Sequence, residues 1–75
     1  MSSVNISDRI AALLKDKQLS AIELSKVIQV QRSTLSHILS GRNKPSIDLL
    51  ERFHTAFEDL SLEWLITGKG KMYKA

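Results

Sequence analysis

Cysteine is missing from all 75 residues. Disulfides and thiolate metal sites are therefore excluded. The two histidines, His37 and His54, stand far apart and have no thiolate partners, so no structural zinc site is expected. No apolar run approaches the roughly 20 residues that span a bilayer. The opening MSSVNISDRI lacks the basic and apolar blocks of a secretory signal. A soluble, cytoplasmic protein with no membrane partner is the default expectation. Strand-type alternation, internal repeats and low-complexity segments are absent as well. So are the signatures of catalysis: there is no phosphate-cradling glycine loop, no HExxH and no serine elbow. Gly68-Lys69-Gly70-Lys71 has neither the spacing nor the strand context of a nucleotide loop. No enzyme, cofactor or metal is expected.

What remains is helical. Residues 1–75 read as one domain, with a core over about 5–68 and a tail over 69–75. Ile6, Ile10, Leu13 and Leu14 fall at i, i+4, i+7 and i+8, the stripe of a first helix. Asn5 can cap it, with Asp8 in its first turn and Lys15 and Lys17 at its end. Ser20 and Glu23 have the spacing of a capping box for a second helix. A third runs over about 31–40 and stops at Gly41. The polar loop GRNKPS, holding the only proline, leads to a fourth helix capped by Ser46. Its buried stripe is expected from Ile47, Leu50, Phe53 and Phe57. Ser61 caps a short fifth helix, LEWLIT, closed by Gly68, and KGKMYKA reads as a loose tail or an edge that orders on a partner. His54, among acids on the fourth helix, reads as solvated. Five helices with short loops make an all-α domain.

The stretch from Ser20 to Arg42, SAIELSKVIQVQRSTLSHILSGR, holds two short helices across a three- to four-residue break. Leu24, Ile28, Val30, Leu35 and Ile38 would pin the pair together. Gln31, Arg32, Ser33, Ser36, His37 and Ser40 remain outside, all able to hydrogen-bond. A second helix held steeply in this way can enter a DNA major groove. Charge agrees with this. Residues 24–47 carry Lys26, Arg32, Arg42 and Lys44 and no acid, a segment of +4 inside a chain of net +3. Residues 48–63 reverse the sign, and the tail adds Lys69, Lys71 and Lys74. The alternative reading of the charge is a mixed, solvated surface.

Residues 6–68 resemble the helix-turn-helix domain of Cro/cI-type phage repressors and related bacterial regulators, the XRE family. The resemblance is carried by the apolar set just named, the small Ser25 at the helix contact, the GRNKPSIDLL stretch and the closing LEWLITGKGKMY. It implies a compact five-helix lambda-repressor-like fold. Three positions depart from the family pattern. Ala21 stands where a phosphate-holding glutamine is common, and Gln29 where glycine often serves a left-handed turn. Leu39 stands where an acid is frequent, placing it against the fourth helix or in an interface.

The resemblance implies a sequence-specific regulator of double-stranded DNA, a repressor of phage or mobile-element type. Arg32 is the first choice for base contact, because its planar fork matches O6 and N7 of guanine. Ser33 and His37 match family positions facing base edges, and Gln31 and Ser36 join them. Ser20, Lys26, Arg42, Asn43 and Lys44 are assigned to phosphates, which set register rather than read sequence. Ser20, Ser46 and Ser61 are also helix caps. For Arg32 and His37 the alternatives are a phosphate contact or plain solvent exposure, for Gln31 a weak helix cap or a phosphate contact, for Ser36 the DNA backbone, and for Arg42, Asn43 and Lys44 ordinary loop solubility. Trp64, Leu65, Met72 and Tyr73 are candidates for a homodimer surface, with completion of the core as the competing role. A dimer places two reading helices about 34 Å apart, so the operator should be an inverted repeat. A chain of this length leaves no room for a sensing domain, so control is expected from abundance, proteolysis or a partner. Two rival readings are an antitoxin that also wraps a toxin, and a helical adaptor that binds proteins through the acidic fourth helix without DNA.

Overall fold

Each of the five helices among the described residues begins where the sequence supplies a side chain for its orphan N–H groups, with one exception. The structure, a computed structural model, describes residues 5–74. The outer limits of the expected domain, residues 1–4 and 75, lie outside the described residues. The order is α1 (Ile6–Lys17), α2 (Ala21–Val27), α3 (Arg32–Leu39), α4 (Ile47–Ala56) and α5 (Leu62–Thr67). Asn5, Ser20, Ser46 and Ser61 accept from Asp8 N, Glu23 N, Leu49 N and Trp64 N. At Ser20 the capping box is complete, since the Glu23 carboxylate accepts from Ser20 N at 2.8 Å. The exception is α3, where the Gln31 side chain caps nothing.

The core is apolar and draws on every helix. Ile10, Leu13, Leu24, Phe53, Leu60 and Leu65 are wholly inaccessible, and Leu35 nearly so. Helix α1 lies at the centre, packed on both α3 and α5, while α2 packs on α3. Two polar side chains of α1 tie the ends of other helices to it. Ser7 Oγ donates to Ile38 O at 2.6 Å. Buried Arg9 donates from Nε to Leu65 O and from Nη2 to Ile66 O, each at 2.8 Å. These are among the carbonyls that helix ends leave without intrahelical partners. A Cβ added at Gly68 would stand 3.1 Å from Arg9 Nη1, so this glycine makes room as well as supplying its left-handed turn (φ +80).

Two expectations are corrected. Ile47 is 75% exposed, and Leu49 takes its place in the core. At about 100° per residue, Ile47 lies about 120° around the helix from Phe53, and Leu49 only about 40°. The segment after Gly68 is not loose through residue 74. Ser61 N donates to Met72 O and Lys74 N to Asp59 O, both at 2.8 Å, closing an antiparallel bridge between Leu60 and Tyr73. Tyr73 donates its hydroxyl to Asp16. Lys17 Nζ lies 4.8 Å from the centre of the Tyr73 ring and pairs with Asp59 at 3.2 Å. Burial and the Asp16 carboxylate push the Tyr73 phenol up to about 12. Among the described residues no helix is long and apolar enough to cross a membrane.

Candidate nucleic-acid interface

The break between α2 and α3 is four residues long, Ile28 to Gln31. Ile28 is buried and Val30 half-buried against the core, while Ser25, 5% exposed, leaves space at the helix contact. Ser25 Oγ donates to Ile22 O at 2.6 Å. Gln29 adopts φ +58, the left-handed conformation its position in the turn demands. That backbone costs an ordinary residue about 1–2 kcal/mol. Here it is held from α4, where Arg52 Nη1 donates to Ile28 O (3.2 Å) and to Gln29 O (2.9 Å). Arg52 Nε in turn donates to Asp48 at 3.0 Å, one helical turn back. The i,i+4 pair was visible in the sequence; the carbonyls it aims at were not.

With the turn fixed, α3 buries Leu35 and Ile38 and leaves Arg32, Ser33, Ser36 and His37 exposed. On a helix of about 100° per residue, those four occupy an arc of about 140° opposite the buried pair. None of their side chains is engaged with another described residue, so their donors and acceptors are available to a ligand. Gln31 sits differently. It precedes the helix and lines a groove on the other flank of α3, with Thr34, Asn43 and Lys44. Arg32, Ser33 and Ser36 share a second groove with Ala21 and Ile22 of α2.

The loop after α3 is organised by one carbonyl. His37 O accepts from Arg42 N (2.9 Å), Asn43 N (3.3 Å) and Ser40 Oγ (3.0 Å). Gly41 (φ +84) makes the reversal, and nothing crowds its α-carbon, so backbone freedom alone requires glycine there. Arg42, Asn43 and Lys44 are exposed as a fixed polar rim beside α3. Lys26 is exposed in the last turn of α2. Ser20 is engaged: its oxygen accepts from Glu23 N, leaving only the hydroxyl hydrogen for a phosphate. The same capping bonds hold the Glu23 carboxyl below the usual carboxylate range, with Lys26 adding a smaller effect.

At the expected dimer surface, Leu65 is wholly buried inside the protomer and belongs to the core. Trp64, Met72 and Tyr73 are half-buried against that core. Ile66 is 48% exposed; at about 100° per residue it points about 160° around α5 from Trp64.

A helix-turn-helix family model matches residues 10–65, from the middle of α1 into α5. No curated protein and no solved structure matches the chain. The matched span contains both helices of the hairpin, the left-handed turn between them and the exposed face of α3. The chain thus belongs to the XRE-type helix-turn-helix family of DNA-binding domains.

Proposed function

We propose that this protein is a sequence-specific transcriptional repressor of phage or mobile-element type, bound as a homodimer to an inverted-repeat operator. Helix α3 enters the major groove, and α2 crosses the backbone. The observation that carries this reading is the face of Arg32, Ser33, Ser36 and His37, exposed and without side-chain hydrogen bonds to other described residues, beside a rim of Arg42, Asn43 and Lys44. Polar groups left in this state lose little on transfer from water to base edges, because each exchanges one hydrogen bond for another.

In this reading Arg32, Ser33, Ser36 and His37 read bases, and Gln31 reaches the base or phosphate at the helix start. Lys26, Arg42, Asn43 and Lys44 hold phosphates, with Ser20 reduced to a hydroxyl donor. The dimer forms through the exposed edges of Trp64, Met72 and Tyr73. Three phosphate-binding cations per protomer, Lys26, Arg42 and Lys44, imply a dimer slope near −5 in log affinity against log salt, from about −0.9 per phosphate.

The test is selection from a randomised duplex pool at two salt concentrations. Enrichment of a two-fold symmetric sequence, with half-sites about one helical turn apart and steep salt dependence, supports the proposal. Equal, negligible retention of all sequences at low salt overturns it.

A further inference from the structure

Four large aliphatic side chains stand exposed among the described residues: Ile22, Val27, Ile47 and Ile66. Single exposed aliphatics are ordinary, but their settings differ. Val27 lines a groove with the Asp48 and Glu51 carboxylates, which would repel a phosphate backbone. Ile22, 44% exposed, lines the groove it shares with Ala21, Arg32, Ser33 and Ser36. It therefore borders the face of α3 already assigned to base edges, and the charged side chain in that groove is a cation. The nearest acid in sequence, Glu23, is tied into the Ser20 capping box.

The side chain is also held in place. The capping box fixes the first turn of α2, and Ser25 Oγ bonds the Ile22 carbonyl. A β-branched residue in a helix has essentially one χ1 rotamer. An aliphatic group entering a major groove beside hydrogen-bonding side chains needs an apolar partner there. Among the base pairs the only apolar group on that edge is the C5-methyl of thymine.

We propose that Ile22 is a specificity residue, packing on a thymine C5-methyl next to the bases met by Arg32, Ser33 and Ser36. This selects a T·A pair at one position in each half-site. The inference rests on the reading of α3 as the base-contacting helix. It adds α2 to the surface that reads sequence, through shape and apolar contact rather than hydrogen bonds.

The probe is the tightest duplex recovered from the randomised pool. Each thymine is replaced singly by deoxyuridine, which removes one methyl and keeps Watson–Crick pairing. The scan is run on the wild-type protein and on Ile22→Ala, with Ile22→Val as a partial truncation and thermal melts to verify folding. Loss of one buried methyl contact corresponds to about a fourfold change in affinity. Wild type should weaken by that factor at one thymine per half-site. Ile22→Ala should bind the thymine duplex more weakly and respond to deoxyuridine there by less than a factor of about 1.5, well inside the methyl effect. Ile22→Val should fall between the two and serves alone if the alanine variant does not fold. A scan that is flat for wild type, or a drop that persists undiminished in the Ile22 variants, overturns this inference while leaving the α3 reading intact. Failure of the pool to yield any enriched duplex removes both.

Discussion

Replacing Arg52 with methionine keeps an unbranched stem over the turn and removes only the guanidinium. The structure gives that group three partners. Ile28 O, accepting at 3.2 Å, is partly buried, and leaving it without a donor costs about 1–1.5 kcal/mol. Gln29 O, at 2.9 Å, is exposed, and water replaces the bond at a loss of about 0.5 kcal/mol. The Asp48 pair is exposed, with side chains 39% and 72% accessible, and contributes about 0.3–0.5 kcal/mol. Together these come to about 2 kcal/mol, a large share of the roughly 4–11 kcal/mol typical for a domain of this size. At about 4–8 °C per kcal/mol the melting temperature should fall by about 8–16 °C. Calorimetry and urea titration both measure this. Asp48→Asn is the control: it removes the ion pair and a favourable charge at the start of α4, together under about 1 kcal/mol. If Arg52→Met costs no more than Asp48→Asn, the two turn carbonyls gain nothing from the guanidinium. The account of how a glutamine-containing turn is held would then fail.

Gln29→Val should lower stability by about 1–2 kcal/mol while Gln29→Gly does not, because a β-branched residue resists φ +58 more than glutamine does and glycine does not resist it; equal urea midpoints would contradict this. Arg32→Ala should cost about 1–3 kcal/mol and relax preference at a single base position in a substitution scan. Uniform weakening over all sequences would reassign Arg32 to phosphate. Lys44→Ala should leave sequence preference intact and reduce the salt slope by about 0.9 per protomer, whereas an unchanged slope places Lys44 off the backbone. The phenol of Tyr73 is raised from its usual 10 to about 12, so its neutral form is favoured in the fold. Its contribution is fully present below pH 10 and lost as pH rises through 12, relative to a Tyr73→Phe protein. A wild-type minus Tyr73→Phe stability difference that stays constant across that window would refute the coupling.

Sequence alone determined what depends on neighbours along the chain. The four caps at Asn5, Ser20, Ser46 and Ser61 involve groups three residues apart, so spacing specified them. The buried Leu24, Ile28, Leu35 and Ile38 and the exposed Arg32-to-His37 face follow from helical period. The left-handed turn at Gln29 was legible from the family pattern. Tertiary structure decided what depends on where elements meet. Ile47 is apolar and adjacent to the stripe of α4, yet it faces water because no other element covers that side of the helix start. Nothing along the chain marks the carbonyl partners of Arg9 and Arg52. In three dimensions the two arginines donate to carbonyls 56 and 24 residues away, which no local spacing encodes. The tail docks because residues 59–61 present backbone partners to it. Ile22 shares a groove with the exposed face of α3 only because the angle between α2 and α3 brings it beside Ser33 and Ser36. That angle is set by core packing and by Arg52 at the turn, not by either helix alone.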